Sequence, residues 1–185
     1  MCDVSRRNLL KSSIALSVLA AGAAYATPSK APVKWDKSYD MVIIGAGGGG
    51  LMAAHYAAQV GLTAVVLEQM LFPGGSISVA DTPYQRAKGV KDSNERFVQE
   101  MLRVGKNVND PALVEAHVKN VKAVFNFIDN DLKVKAKSIS AVSGMSVPRA
   151  HSYFPPSNLI QHLFDYVTKT QHVPVEFNTA AKRLV

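Results

Sequence analysis

Cysteine is almost absent from this sequence, and its absence excludes two classes of protein. The 185-residue chain has one cysteine, Cys2, so no disulfide can form within it and a disulfide-stapled fold is excluded. A covalently attached c-type haem is excluded as well, because the C-x-x-C-H attachment motif needs two cysteines. The composition is neither collagen-like nor disordered, since 48% of the residues are hydrophobic. The apolar side chains are therefore sufficient for one packed core.

Clustered positive charge is also lacking. The formal net charge is +7, but the lysines are scattered along the chain, as at Lys30, Lys88 and Lys137. A nucleic-acid interface usually gathers its basic residues in one stripe beside aromatic or polar readers. The sequence therefore predicts a solvated basic surface and no nucleic-acid partner.

The N-terminal segment has the three parts of a bacterial export signal. The arginine pair Arg6-Arg7 forms a basic start, an apolar run covers residues 12–24, and Ala24-Tyr25-Ala26 resembles a cleavage site. The paired arginines indicate export by the twin-arginine translocase to the periplasm. A retained membrane anchor is the alternative, but the run is shorter than the roughly 20 apolar residues that span a bilayer core. We predict a signal peptide over 1–26.

A linker and then a βαβ unit follow the signal. Residues 27–38 are rich in Pro, Lys and Ser and predict the linker. Met41–Ile44 is fully apolar, which predicts a strand buried on both faces in a parallel sheet. Leu51–Val60 is rich in alanine and predicts a helix, and Thr63–Leu67 predicts a second strand. This order of elements is typical of dinucleotide-binding proteins.

The turn between the first strand and the helix carries a G-x-G-x-x-G pattern. Gly45 permits a tight turn, Gly47 lets the backbone approach a pyrophosphate, and Gly50 allows close packing of the helix on the strand. The free amides and partial positive charge of the helix N-terminus then attract phosphates. We predict that this turn contacts the cofactor through Gly45, Ala46, Gly47, Gly49 and Gly50.

An acidic residue and a second glycine turn complete the predicted site. Glu68 follows Gly50 by eighteen residues, close to the spacing of the acid that binds an adenosine ribose. A carboxylate there would repel a 2′-phosphate, which argues against NADP. The second turn, Gly74-Gly75-Ser76, resembles the turn with which flavoproteins hold the rest of FAD. We therefore predict FAD as the cofactor, bound in addition by Glu68, Gly74, Gly75 and Ser76.

Three further helices are predicted from capping residues and apolar spacing. Ser93 caps a helix that runs to about Val104, and Asp110 caps a second that starts with Pro111. The second has one apolar face: Val114, Val118, Val121, Phe125 and Ile128. Ser157 caps a third helix over Asn158–Lys169. The pattern predicts irregular structure over 77–89 and two strands, or their beginnings, over 173–178 and 179–185.

Three blocks along the chain narrow the resemblance to one family of flavoproteins: Ala87–Ser93, Gly105–Val114 and Ser146–His151. With the two glycine turns, they resemble the FAD-binding part of the fumarate reductase and succinate dehydrogenase flavoproteins, in particular the soluble periplasmic flavocytochrome c fumarate reductases. The resemblance extends from about residue 38 to the end of the chain. It implies an incomplete Rossmann-like α/β domain over 39–185, with three layers around a parallel sheet.

The resemblance also implies a reaction and partners. Members of this family are FAD-dependent oxidoreductases that reduce the carbon–carbon double bond of an unsaturated dicarboxylate such as fumarate. They use hydride from the flavin N5 and a proton from an arginine. Because this chain has no haem motif, the electrons would come from a separate c-type cytochrome or a quinol-linked partner, as in anaerobic respiration.

The order of the matched motifs places the family's catalytic arginine and dicarboxylate-binding residues after Val185, so we predict no catalytic residue in this chain. Arg149 and His151 are candidates for a substrate cation and an acid, but we interpret them as a surface arginine and a hydrogen-bonded histidine. Other histidines are not spaced with acids as a metal site requires: His55, His117 and His162.

Two alternatives stay open at this stage. The chain could be a truncated, non-catalytic flavin-binding fragment, or a related flavin dehydrogenase that acts on another substrate, such as a ketosteroid dehydrogenase. Continuation of the coding frame beyond Val185 into a capping domain would separate the enzyme from the fragment. Product analysis would separate a reductase from a dehydrogenase.

Overall fold

The structure is a computed structural model and describes residues 34–69 and 74–183. The predicted signal peptide over 1–26 and most of the predicted linker lie outside the described residues. The chain divides into two units, Met1–Ser38 and Tyr39–Val185. The described part of the first unit, 34–38, forms neither helix nor strand. No helix of the described ranges combines the length and the apolar character needed to cross a membrane.

The second unit contains both strands and helices. Its strands are β1 (Met41–Ile44), β2 (Ala64–Glu68), β3 (Ser76–Ser78), β4 (Ser138–Ser140), β5 (Ala150–Ser152) and β6 (Val175–Phe177). Its helices are α1 (Gly48–Gln59), α2 (Pro83–Ala87), α3 (Asn94–Val104), α4 (Pro111–Asn126) and α5 (Asn158–Asp165). Two π-helical turns, Phe127–Asp131 and Tyr166–Thr170, extend α4 and α5.

A parallel three-stranded sheet carries the βαβ unit. Its strand order is β1-β2-β6, and Met41 pairs with Ala64 at one end of the β1-β2 ladder while Ile44 pairs with Leu67 at the other. Because parallel strands need a crossover, α1 connects β1 to β2 and packs on one face of the sheet. The predicted α/β fold with a parallel sheet is confirmed.

The burial predicted for β1 is wrong on one face. Ile43 is buried beneath α1, but Val42 and Ile44 are 54% and 65% exposed. Alternate residues of a strand point to opposite faces, and in the described chain α1 covers the Ile43 face of this strand. A fully apolar run cannot by itself show whether both of its faces are covered.

A second, antiparallel sheet was not predicted. Its order is β3-β5-β4, and Ile77 and Ile139 both lie opposite His151 on the central strand. Each strand has three residues, too few for an alternating pattern to stand out in the sequence. Residues 77–89, predicted as irregular, contain the end of β3 and all of α2, which begins with a capping box between Thr82 and Gln85.

Two apolar clusters form the core. The larger joins the parallel sheet to α1 and α5 through residues such as Ile43, Val66, Leu51 and Leu163. The smaller joins α3 to α4 and includes Phe97, Val118, Val121 and Phe125. The predicted apolar face of α4 is thus confirmed as buried core. Ile77 and Tyr84 pack against both clusters and connect them.

Three predicted helix starts have different outcomes. Ser93 accepts a hydrogen bond from the amide of Arg96, and Asp110 accepts one from the amide of Ala112, so both predicted caps are confirmed. Ser157 occupies the N-cap position of α5, but its side chain makes no capping hydrogen bond. Its backbone is already helical, with φ −70° and ψ −17°, whereas a capping side chain needs an extended backbone.

The predicted ends of the chain are confirmed in part. The helix predicted over Asn158–Lys169 is formed by α5 and its π-helical turn. The strand predicted over 173–178 is β6. The strand predicted over 179–185 is absent from the part that the structure describes, 179–183.

Candidate functional site

The turn after β1 folds back so tightly that side chains are excluded at two positions. Gly45 has a φ of +98°, a left-handed conformation that glycine adopts without strain. Its amide donates to the carbonyl oxygen of Leu67 at 2.8 Å, which continues the β1-β2 ladder. A Cβ on Gly50 would overlap the carbonyl oxygen of Gly45 and lie 3.3 Å from Cγ2 of Ile43. Gly45 and Gly50 therefore shape the turn by steric necessity.

Two other glycines of this turn, Gly47 and Gly49, face open space. Gly47 is the N-cap of α1, has an extended backbone and supplies no capping side chain. A Cβ on Gly47 or on Gly49 would meet no atom within 4 Å. The first turn of α1 thus presents backbone amides and the positive end of the helix dipole to a space that side chains would otherwise enter. This cradle suits a phosphate group.

Glu68 ends β2 at the same edge of the sheet. Its carboxylate oxygen Oε2 accepts a hydrogen bond from the amide of Ala46 at 2.5 Å. The side chain is half-buried. Because β1 and β2 are parallel, the carboxyl end of β2 lies beside the turn that follows β1. One strand end therefore supplies a carboxylate directly next to the amide cradle.

The second glycine turn lies close to the first because both contact Ile160 of α5. The Cβ positions of Gly48 and Gly74 would be 3.7 Å and 3.6 Å from atoms of the Ile160 side chain. A Cβ on Gly75 would lie 3.2 Å from the Cβ of Pro156, and the Gly75 carbonyl oxygen accepts from the amide of Tyr153 at 2.8 Å. The tertiary fold thus brings together two turns that are far apart in the sequence.

A cavity of about 430 Å³ opens between these turns and two helices. Gly48 and Gly49 of α1 and Gly74 and Ser76 of the second turn form one side of it. Residues of α4 and α5, most of them apolar, form the other side. The volume lies within the usual range of about 300–1,000 Å³ for a small-molecule site. A cradle of backbone amides, a carboxylate beside it and an apolar cavity together suit an elongated dinucleotide.

A family model described as "FAD binding domain" matches residues 40–185. The chain belongs to this family. Within it, the domain resembles fumarate reductase flavoproteins, as the motifs predicted. The predicted cofactor, FAD, is therefore that of its family, and the cradle at Gly47 and Gly49 fits a diphosphate-linked cofactor of this kind.

Two curated relatives and one solved structure show what the FAD-binding domain is similar to. It is 33% identical over 154 residues to "NADH:fumarate oxidoreductase" from Klebsiella pneumoniae, covering 80% of this chain and 16% of the relative. It is 38% identical over 125 residues to "Acrylate reductase flavoprotein subunit" from Shewanella woodyi, covering 60% of this chain and 24% of the relative. The structure of the open conformation of a flavocytochrome c3 fumarate reductase superposes with a TM-score of 0.71 at 22% identity. The match covers 91% of this chain and 30% of the reductase chain.

The chain spans 16% and 24% of the length of these two curated relatives. The FAD-binding domain therefore corresponds to a small part of proteins that are several times longer. The structural match shows the fold alone.

Arg149 was interpreted as a surface arginine, and this is wrong. Its side chain is fully buried. Nε and Nη2 donate to the two carboxylate oxygens of Asp92 at 2.7 and 2.6 Å, and Nη1 donates to Glu100 at 2.8 Å. The guanidinium also lies 4.5 Å from the centre of the Phe97 ring. A buried arginine is stable here because each charge-bearing edge has a partner.

The acids of this network are held in their charged form. Burial opposes the charge of Asp92, but hydrogen bonds from Arg149 and Gln85 outweigh it and keep the pKa of Asp92 below its ordinary value. Burial likewise opposes the charge of Glu100, and hydrogen bonds from Ser146 and Arg149 lower the pKa of that carboxyl. The network therefore connects α3 to the segment before β5 by ionic hydrogen bonds, and Arg149 has no free edge for a substrate.

His151 was interpreted as a hydrogen-bonded histidine, and this is confirmed. It is fully buried, with Nε2 at 2.8 Å from the Thr82 hydroxyl and Nδ1 at 2.8 Å from the carbonyl oxygen of Arg149. Burial lowers the pKa of His151, although the hydrogen bond to the Arg149 backbone opposes this. The neutral ring packs against Phe125 at 4.9 Å between centroids. Neither Arg149 nor His151 reaches the cavity beside the glycine turns.

The nine predicted cofactor contacts fall into two groups that the fold places side by side. Gly45, Ala46, Gly47, Gly49, Gly50 and Glu68 form the first, at the carboxyl edge of the parallel sheet, and Gly74, Gly75 and Ser76 form the second. Sequence reasoning missed the α4 wall of the cavity, because apolar residues at helical spacing look the same in a core and in a cavity wall. In the described residues, no group of three or more His, Cys, Asp or Glu is arranged to hold a metal ion.

Proposed function

We propose that this chain is the cofactor-binding part of an FAD-dependent oxidoreductase that reduces the carbon–carbon double bond of an unsaturated carboxylic acid. The observation that carries the proposal is the meeting of two glycine turns at Ile160, beside a cavity, with Glu68 hydrogen-bonded to the first of these turns. The substrate class comes from the two relatives, which are named for fumarate and acrylate. Both are carboxylates conjugated to a double bond.

Each part of the site has a separate task in holding FAD. The amides of the first turn of α1 bind the pyrophosphate, and the open space at Gly47 and Gly49 admits it. Glu68 accepts hydrogen bonds from the adenosine ribose while the Ala46 amide keeps its carboxylate in place. Gly74, Gly75 and Ser76 contact the part of FAD beyond the pyrophosphate. A bound, reduced flavin supplies the hydride for the reduction.

The proton donor and the groups that bind the substrate carboxylate correspond to the part of the relatives that extends beyond this domain. Arg149 and His151 do not fill these roles, because their polar atoms are already paired with Asp92, Glu100 and Thr82. The electrons come from a separate c-type cytochrome or a quinol-linked donor. The substrate is a small unsaturated dicarboxylate or a related acid.

The segments ahead of the domain serve export in this proposal. The arginine pair Arg6-Arg7 and the Ala24-Tyr25-Ala26 site support a twin-arginine signal over 1–26, followed by a linker over 27–38 and the FAD-binding part over 39–185. Twin-arginine export carries folded proteins, which suits a protein that acquires a cofactor before export. Fractionation of cells should find the protein in the periplasm starting at Thr27, and a double substitution of the arginines by lysine should retain it in the cytoplasm.

The first test is FAD binding by the whole chain. We expect the purified protein, mixed with FAD and separated from free cofactor, to retain flavin absorbance, and ADP to compete because it shares the adenosine and phosphate half. A protein that stays colourless after this treatment would overturn the proposal. Oxidation of a reduced viologen dye on addition of fumarate or acrylate then tests the reaction itself.

A second candidate function is flavin binding without catalysis. It is favoured by the pairing of Arg149 and His151, because the polar atoms of these two candidates for substrate contact are already bonded to Asp92, Glu100 and Thr82. Retained flavin absorbance without dye oxidation, for the chain alone, would support this candidate. Dye oxidation by the chain alone would exclude it.

A further inference from the structure

The cavity beside the glycine turns has a wall that no cofactor motif includes. His117, Asn120, Val121 and Val124 of α4 line it opposite Gly48, Gly49, Gly74 and Ser76. These four residues are spaced by three, one and three positions, so they share one face of the helix. Val121 is buried core, Val124 is half-buried, and His117 and Asn120 are exposed at the mouth.

The position of Glu68 decides which half of FAD can reach this wall. Glu68 holds the adenosine ribose in the proposed site, and it does not line the cavity. The amide cradle of α1 lies between Glu68 and the cavity, because Ala46 contacts Glu68 while Gly48 and Gly49 line the cavity. A dinucleotide that runs from Glu68 across the cradle therefore enters the cavity with the half beyond its pyrophosphate.

The chemistry of the wall matches a flat, partly apolar ring. Val121 and Val124 face the cavity together with Ile77, Ile128 and Leu163, which suits the dimethylbenzene side of a flavin. Asn120 adds a carboxamide at the mouth. Its Nδ2 donates back to the carbonyl oxygen of Ala116 at 2.7 Å, which leaves the amide oxygen Oδ1 to accept a hydrogen bond.

We propose that α4 is the second wall of the cofactor site, where the isoalloxazine ring of FAD packs on Val124 and Asn120 accepts a hydrogen bond from the flavin half. This inference rests on the proposed function and adds to it the residues that select the flavin half. ADP lacks that half. The affinity for FAD therefore depends on α4, and the affinity for ADP does not.

The decisive variant is Asn120→Ala, because Asn120 is exposed and its loss leaves the core intact. Asn126→Ala is the matched control, since Asn126 is an exposed asparagine of the same helix that does not line the cavity. Dissociation constants for FAD and for ADP are measured by calorimetry on the whole chain. We expect Asn120→Ala to weaken FAD binding about 3- to 10-fold, as for the loss of one hydrogen bond, with ADP binding and both affinities of the control unchanged.

The other outcomes overturn the inference in distinguishable ways. Unchanged FAD affinity in Asn120→Ala would overturn it while the proposed function stands. Equal weakening of FAD and ADP would also overturn it, because the effect would then fall on the shared half. A wild-type chain that binds ADP but not FAD, or neither, would overturn both the proposed function and the inference.

A fluorescence measurement places the ring without relying on one hydrogen bond. An indole in contact with a flavin quenches its emission, so His117→Trp should quench bound FAD to below half of the emission seen in a control. Glu115→Trp is that control, because Glu115 lies on α4 but outside the cavity lining. Equal emission from the two variants would place the ring away from α4 and overturn the inference.

Discussion

At the scale of single residues, neighbouring glycines of one turn have opposite steric requirements. Gly49 and Gly50 follow one another in the first turn of α1, yet a Cβ on Gly49 meets no atom within 4 Å while a Cβ on Gly50 overlaps the Gly45 carbonyl oxygen. Gly50 therefore serves the fold. Gly49 leaves the fold unaffected and keeps space open in front of the amides.

The first prediction separates these roles with two alanine substitutions. Gly50→Ala should lower the free energy of unfolding by about 2–3 kcal/mol, because the turn must open to accommodate the methyl group. Gly49→Ala should leave stability unchanged or raise it slightly, because alanine favours the helix. Urea titrations measure both. Equal stability of the two variants would contradict the steric overlap between a Cβ on Gly50 and the carbonyl oxygen of Gly45.

The same pair predicts a difference in binding. Gly49→Ala places a methyl group where the pyrophosphate approaches the amides, so it should weaken FAD and ADP alike while the protein stays folded. This result would differ from the loss expected for Asn120→Ala, which affects FAD alone. If Gly49→Ala binds FAD and ADP with wild-type affinity, the pyrophosphate does not bind at the amides of this turn.

At the scale of elements, the buried network of Arg149 joins pieces of chain that have no local reason to meet. Asp92 precedes α3, Glu100 lies within it, and Arg149 precedes β5, so one guanidinium holds a helix against the central strand of the antiparallel sheet. The pair between Lys169 and Asp165 is a contrasting case. Its nitrogen and oxygen are 3.1 Å apart, but the side chains of Lys169 and Asp165 are 71% and 39% exposed.

The second prediction compares these two ion pairs. Arg149→Met should lower the free energy of unfolding by about 3–5 kcal/mol, because it leaves the buried carboxylates of Asp92 and Glu100 without a counter-charge. Lys169→Met should cost about 0–1 kcal/mol, since solvent screens the exposed pair. Denaturant titrations at low and at high salt measure both. A loss for Arg149→Met as small as that for Lys169→Met would show that the buried carboxylates do not depend on this arginine.

At the scale of the whole molecule, several buried titratable groups make stability depend on pH in a defined direction. Burial lowers the pKa of His151, so below its ordinary value of 6.5 the unfolded chain takes up a proton that the folded chain resists. Asp92 and Glu100 have lowered pKa values in the folded state. Their contribution is therefore lost as the pH falls below the ordinary 4.5 of a glutamate.

The alkaline side has a separate cause. Burial, with the hydrogen bond to Asp129, raises the pKa of Tyr84 from 10.0 to about 12. The unfolded chain therefore loses this proton first, and stability falls as the pH rises from 10 towards 12.

The third prediction follows from these directions. The urea midpoint should be highest between about pH 6.5 and 10, decline below 6.5, fall more steeply below 4.5, and decline again above 10. Tyr84→Phe should reduce the alkaline slope, because phenylalanine has no proton to lose. If the urea midpoint of Tyr84→Phe declines above pH 10 as steeply as that of the unmodified chain, another group causes the decline.

Much of the parallel half of the fold could be predicted because its signals are local. The glycine pattern at 45–50, the strand before it and the acid at Glu68 lie within one βαβ unit, where each element directly contacts the next in sequence. The caps at Ser93 and Asp110 are more local still, since each bonds an amide two or three residues away. The capping hydrogen bond predicted for Ser157 does not form, because the backbone of Ser157 is helical where a capping residue needs to be extended.

The rest depends on contacts between distant residues. Arg149 pairs with acids 57 and 49 positions earlier, and no local pattern distinguishes such an arginine from one on the surface. Each strand of the antiparallel sheet has three residues. The strands β3 and β4 belong to this sheet because both pair with β5, which lies between them. The two glycine turns share a site because Ile160, more than eighty positions beyond either, packs against both.

The sequence by itself determined the cofactor class and the conformation of each turn, because both follow from residues that are close neighbours: glycines without a Cβ, a helix start without a capping side chain, and an acid at the end of a strand. Tertiary structure decided which of these features meet, which charges are buried, and which apolar faces become core or cavity wall. The physical reason is that burial is a property of the packed chain, and a side chain's partners across the core are absent from its local sequence.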